Sequence, residues 1–328
     1  MIVDVHAHCI PPALLRWLED RGPANRIQLV ATGGGRCVEI DGHHRTAPLR
    51  DDLTDLDRRI AEMDRMGIDV QLLSGWIDLT AYQLPSEEGR SYSRAHNEAI
   101  AEEASRHPDR LRPMATVPLQ DPVAAAEELE YAIDRLGAVG VQIATTVGDR
   151  WLDQCSLDPF WETAEGAGAL VLLHPVRPLS GLDLDRYFLD NMVGRPAEST
   201  IALAGLIFSG VFERFPRLRM CVVHGGGFAP YQVGRMNRGF DAKPGLTGNH
   251  IRRPPGEYLE RLYFDTVVHD PRVLRFLVDM VGADHVVLGT DYPFEMGEPD
   301  PVGLIERAGL DAEARQAVLG GNVASLLG

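Results

Sequence analysis

No CxxC pair occurs in the 328 residues, and the four cysteines (Cys9, Cys37, Cys155, Cys221) are scattered along the chain. That pattern points to neither a disulfide framework nor a zinc ribbon. No apolar run approaches the roughly 20 residues a bilayer span needs, so no membrane segment is expected. Positive charge is short: 32 Lys and Arg stand against 48 Asp and Glu, a net charge of −16. A nucleic-acid or anionic-membrane surface is thereby disfavoured, leaving only local basic pockets. Met1 leads straight into Ile-Val-Asp-Val-His without a basic n-region or apolar h-region, so a cytoplasmic protein is expected. Short repeats and Ser/Gly/Pro linkers are also missing, and one domain over residues 1–328 is the expectation. A 45% hydrophobic content excludes disorder.

What is present is an alternation. Eight short apolar runs read as strands: Ile2–His8, Ile68–Ser74, Leu111–Val117, Val139–Thr145, Ala169–His174, Leu218–His224, Leu262–Val267 and His285–Asp291. They are nearly continuous in Val, Ile and Leu, as strands buried on both faces are. Amphipathic stretches at Leu53–Met66, Ser86–Arg106 and Asp121–Leu136 read as helices between them. Asp121-Pro122 and Asp270-Pro271 each read as an N-cap followed by proline in the first turn. Eight strand–helix repeats predict an α/β fold, a distorted (β/α)8 TIM barrel. Residues 11–50 interrupt it after strand one, with the glycine run Gly33–Gly35 and the turn Asp41-Gly42, and read as a small hairpin-bearing insertion that could form a lid. A partly helical excursion, Arg177–Pro216, follows strand five.

The sharpest local signal is Asp4-Val5-His6-Ala7-His8. On a strand, positions i and i+2 share a side, so both imidazoles can grip one divalent ion. Taken alone, an HxH pair serves equally well as two core histidines. His174, His224 and Asp291 change the balance, because each closes a different predicted strand: five, six and eight. In a barrel those strand ends converge on one mouth, where catalytic groups sit.

The His-x-His string, the histidine after strand five, His224-Gly-Gly-Gly and Gly289-Thr-Asp-Tyr-Pro together resemble the amidohydrolase superfamily. More narrowly, the chain resembles its aminocarboxymuconate-semialdehyde decarboxylase branch, through Gly194, Pro196-Ala197-Glu198, Gly210-Val-Phe-Glu, Gly234-Arg235, Val268-His-Asp and Gly321-Asn322. The resemblance implies that His6, His8, His174 and Asp291 bind a single zinc and that His224 is the acid/base, with Asp291 also at the chemistry. Three neutral nitrogens and one carboxylate leave such an ion a net charge near +1, enough to lower a bound water's pKa. Val141-Gln-Ile-Ala stands where a bridging lysine would hold a second metal, so one ion is expected. The N3O set fits Zn²⁺ first, with Mn²⁺ and Fe²⁺ as alternatives. No organic cofactor is called for.

The resemblance also makes Arg235 a carboxylate clamp donated across a homodimer. Arg45 and Arg50 in the insertion are candidates for its other half, and Phe294 for a pocket wall. The chain departs from the branch at Ala47, where an insertion arginine is expected, and at Val176 and Asn191, where tryptophans are. The expected function is non-oxidative decarboxylation of a small aromatic-derived or muconate-type acid. The alternative is a zinc hydrolase or dehydrating cyclase on an amide or ester of an aromatic acid, as in natural-product tailoring.

Overall fold

The protein is described from a computed structural model covering residues 1–22, 25–42, 44–176, 179 and 182–327. Eight strands form one parallel sheet: β1 (Val3–Cys9), β2 (Val70–Gly75), β3 (Leu111–Ala115), β4 (Gly140–Ala144), β5 (Leu170–His174), β6 (Arg219–Val222), β7 (Tyr263–Asp265) and β8 (Val286–Val287). Neighbours in sequence are neighbours in space. The sheet closes on itself where Val5 N–H donates to the Leu288 carbonyl at 3.0 Å and His8 N–H to the Tyr292 carbonyl at 2.8 Å. All eight expected strands are present, and the expected (β/α)8 barrel is the fold. The later strands are shorter than the apolar runs predict, because their C-terminal residues leave the ladder to build the mouth.

The expected helices stand at Leu56–Met66, Ser86–Ser105 and Pro122–Leu136. Asp121 accepts from Ala124 N–H and Asp270 from Arg272 N–H, so both read N-caps do that work. Along β5, Leu170, Leu172 and His174 share a face. Leu170 and Leu172 join Leu72, Cys221, Val223 and Val287 in an apolar cluster completed by Val323 and Leu326 of the C-terminal helix. That cluster fills the barrel below the histidines, so the end carrying His6, His8 and His174 is the open one.

The insertion carries the predicted hairpin, with Ile27–Thr32 antiparallel to Gly35–Ile40. It also carries a helix, Pro12–Arg21, that the apolar pattern did not announce. No described residue of the insertion lines the main cavity, which corrects the lid reading. The hairpin instead buries Cys37, Val38 and Ile40 against the body of the protein. Arg177, the first residue of the long excursion, lies outside the described residues. From residue 190 the excursion winds through one wide turn, Asp190–Gly194, into the helix Arg195–Phe208. No helix among the described residues is long and apolar enough to cross a membrane.

Candidate metal centre

β1 delivers His6 and His8 to the same spot, with Nε2 atoms 3.1 Å apart and both side chains fully buried. His174 meets them from β5, its ring centroid 5.1 Å from His6 and 5.0 Å from His8. Asp291, just past β8, places Oδ1 at 3.4 Å from His6 Nε2 and 3.1 Å from His8 Nε2. One donor atom from each of these four residues falls within 4.8 Å of the others. The structure thus brings together the four residues that the sequence proposes as ligands.

The donor chemistry fits a cation. Each imidazole is tied at Nδ1: His6 to Asp265 Oδ2 at 2.7 Å, His8 to the Gly75 carbonyl at 3.3 Å, and His174 to the Pro175 carbonyl at 2.6 Å. With Nδ1 donating, each Nε2 keeps its lone pair for the centre. Among the described residues, His174 Nε2 and Asp291 Oδ1 are buried without any hydrogen-bond partner, and a buried polar atom is seldom left so. Burial, and next the charge of neighbouring histidines, hold the His174 imidazole well below the ordinary range. His8 is lowered chiefly by burial. Burial opposes ionisation of Asp291, yet the surrounding histidines hold its carboxyl well below the usual carboxylate range. Neutral imidazoles and an ionised carboxylate are the states in which such groups bind metal. His6 departs from this: burial lowers it, but the charges of Asp291, Asp265 and Asp4 outweigh burial and raise it.

His224 stands beside the four. Its Nε2 lies 3.5 Å from Asp291 Oδ2, and its ring is 5.2 Å from that of His174. Its side chain is 17% exposed, whereas His6, His8 and His174 are buried. The chain turns sharply here: His224 has φ +56°, and Gly225, Gly226 and Gly227 follow at +60°, +76° and +63°. A Cβ on Gly227 would sit 2.1 Å from the Pro196 carbonyl oxygen, so the glycine run is sterically required. His269 and Asp291, both at φ +57°, occupy the same strained region, which clusters at functional sites.

Three buried groups behind the histidines escaped the sequence reading. Asp265, closing β7, binds His6 and also accepts Gly225 N–H at 2.9 Å, so one carboxylate fixes the His6 imidazole and the turn carrying His224. The predicted run continues past it to Val267, so no strand-end signal marks it; the available signal is a charged residue inside an apolar run. Asp4 accepts from Thr290 Oγ1 at 2.6 Å and Gln71 Nε2 at 2.8 Å, and burial pushes its carboxyl up to about 6. Arg59, fully buried, donates to the His8 carbonyl and to Gln71 Oε1.

A cavity of about 860 Å³ opens above His174, His224 and Asp291, walled by Trp76, Phe188, Phe228 and Phe294 among others. Phe294 is thus where expected, its ring 5.4 Å from that of His8. Arg50 does not line the cavity; it braces the Phe294 loop, donating to the Pro293 carbonyl at 3.1 Å and pairing with Asp52 and Glu295. Arg45 is exposed and paired with Glu39 within the hairpin. Arg235 is exposed on the helix Ala229–Ala242 and does not reach its own chain's cavity.

The amidohydrolase family model matches residues 3–328, and the chain belongs to the amidohydrolase family. Within that family it falls in the aminocarboxymuconate-semialdehyde decarboxylase-like branch. It is 34% identical over 328 residues to the 2-amino-3-carboxymuconate-6-semialdehyde decarboxylase of Dictyostelium discoideum, covering 99% of this chain and 91% of that protein. It is 30% identical to the gamma-resorcylate decarboxylase of Polaromonas, covering 75% of this chain and 80% of that one. Among solved structures, the 5-carboxyvanillate decarboxylase of Sphingomonas paucimobilis superposes with a TM-score of 0.83 at 24% identity, covering 99% of this chain and 98% of that one.

Proposed function

We propose that the protein is a metal-dependent, non-oxidative decarboxylase of a small aromatic-derived or muconate-type acid. The buried His6–His8–His174–Asp291 set with His224 beside it carries the metal reading. The relatives, named as decarboxylases, favour loss of CO₂ over the hydrolase or cyclase alternative. His6, His8, His174 and Asp291 would hold one divalent cation, with Zn²⁺ the first choice for an N3O set. When bound, that ion supplies Lewis-acid polarisation of a substrate oxygen. His224 faces the cavity and holds the transferable proton. As the bond between the carboxylate and its carbon breaks, the electron pair stays on the carbon, CO₂ departs, and His224 delivers its proton to that carbon. Solvent at the cavity then reprotonates His224. Apolar walls favour this step, because a carboxylate loses its charge on becoming CO₂ and a dry site does not oppose that loss.

The chain is read as one domain over residues 1–328 acting in the cytoplasm. We also infer a homodimer. Large apolar side chains are exposed at the cavity: Tyr231, 76% exposed on the helix that carries Arg235, and Met192 both line it, and Val193 next to Met192 is exposed as well. In a dimer Arg235 could enter the cavity of the second copy.

The test is to load the purified protein with Zn²⁺ or Mn²⁺ and offer gamma-resorcylate, 5-carboxyvanillate, 6-methylsalicylate and 2-amino-3-carboxymuconate-6-semialdehyde, with elemental analysis in parallel. One metal per chain and CO₂ from at least one acid are expected. Two metals per chain, or turnover that survives complete chelation, would overturn the reading.

A further inference from the structure

The charged residues of the cavity wall can be taken one by one. Asp291 is met by the histidines, Glu295 by Arg50, His269 by Glu298 at 3.4 Å, and Arg272 by Asp270 at 2.8 Å. Two remain: Arg195 and Asp78. Among the described residues Arg195 makes no ion pair. Its one hydrogen bond runs from Nη1 to the Pro175 carbonyl at 2.9 Å, the same oxygen that accepts His174 Nδ1 at 2.6 Å. That oxygen now has both lone pairs in use, while most of the guanidinium's five N–H donors have no acceptor. The helix starting at Arg195 fixes the side chain's origin, and Pro196 follows in its first turn. A half-buried guanidinium that makes no ion pair among the described residues is thereby held one carbonyl oxygen away from the His174 imidazole, facing a mostly apolar cavity. Asp78 does not neutralise it: the two are not in ion-pair contact, and burial raises the Asp78 carboxyl despite the charge of Arg195.

We infer that Arg195 is a specificity-determining residue that binds a second acidic group of the substrate, one that stays on the product, from within its own chain. This rests on the decarboxylase reading and adds the substrate class: an acid with a second carboxylate or comparable anion. The departing carboxylate is the poorer partner, because a cation bound to it stabilises the charged ground state and loses that interaction as neutral CO₂ forms. A retained anion keeps its two parallel hydrogen bonds to the guanidinium throughout. Arg195 sits between Gly194 and Pro196-Ala197-Glu198, strings by which the family was recognised, yet it carries a charge those strings do not account for.

The experiment is titration calorimetry of the metal-loaded protein with benzoate and the three benzenedicarboxylates, for wild type, Arg195→Met and Arg195→Lys. Wild type should bind the best dicarboxylate at least about tenfold tighter than benzoate, as a charge-assisted hydrogen-bonded pair allows. Arg195→Met should erase that gap while leaving benzoate affinity within about threefold, and Arg195→Lys should restore only part of it. Metal content must be unchanged; if Arg195→Met loses metal, the residue acts through Pro175 and His174 and the inference is overturned. Equal dicarboxylate binding by wild type and Arg195→Met overturns it as well. Headspace CO₂ from the same samples separates the two readings. An Arg195-dependent gap without CO₂ from any acid removes decarboxylation and keeps the clamp, whereas CO₂ release without the gap removes only the clamp.

Discussion

Replacing Asp265 by asparagine changes almost no volume but reverses one hydrogen bond. Oδ1 accepts Gly225 N–H at 2.9 Å and Val267 N–H at 3.2 Å, while Oδ2 faces His6 Nδ1 at 2.7 Å, all of it buried. The two backbone donors oblige the asparagine to keep its oxygen on their side. Its NH₂ then points at His6 Nδ1, which must become an acceptor, and the ring proton moves to Nε2. That is the atom 3.1 Å from His8 Nε2 and 3.4 Å from Asp291 Oδ1, so the metal-facing lone pair is lost. Loss of such an outer partner weakens metal binding by about 10–100-fold, or about 1.4–2.7 kcal/mol. Competition against a chromophoric chelator measures this directly, and circular dichroism verifies that Asp265→Asn is folded. Asp265→Ala should bind metal weakly too, and also lose stability, because it leaves two buried N–H donors unmet at about 1–3 kcal/mol each. Wild-type metal affinity in folded Asp265→Asn would refute the tautomer argument.

His224→Ala should retain its metal and lose turnover by about a hundredfold or more, as removal of an acid/base does; metal content falling in proportion to activity would make His224 a ligand. His96 is buried against Gly75 with neither ring nitrogen hydrogen-bonded to any described residue, and burial holds it down to about 4, so the folded protein binds its proton less readily than the unfolded chain. Its contribution is therefore complete above pH 6.5 and is lost as pH falls towards 4, by about 3 kcal/mol at about 1.4 per pH unit. Urea titrations from pH 7 to 4 should show that slope in wild type and a shallower one in His96→Gln; identical slopes would contradict it. Mixing inactive His224→Ala and Arg235→Ala subunits should restore part of the activity if Arg235 serves the second copy, and no recovery despite demonstrated exchange would place it elsewhere.

The barrel was legible because its strands are buried on both faces, so apolar runs such as Leu170–Leu173 carry few polar interruptions. The candidate ligands were legible for the complementary reason: a polar residue ending such a run has left the core for the mouth. Asp265 did not meet that criterion: it lies inside the predicted run Leu262–Val267, whereas the strand itself stops at Asp265 after only three residues, Tyr263–Asp265, so it went unread. Arg195 could not be found this way. It begins a helix inside the long excursion after β5, and nothing in hydrophobic periodicity says which way that segment folds back over the mouth. Arg45 and Arg50 illustrate the converse: both are arginines of the insertion, yet Glu39 and Asp52 claim them.

The most direct test of the central claim is the mass balance of a single turnover mixture. Carboxyl-¹³C-labelled acids, together with the amides and esters of the same acids, are incubated with the metal-loaded protein and followed by membrane-inlet mass spectrometry. The account predicts one ¹³CO₂ for each acid molecule consumed, absent when the metal is removed and restored when it is returned. Acids left intact while an amide or ester gains water would contradict it.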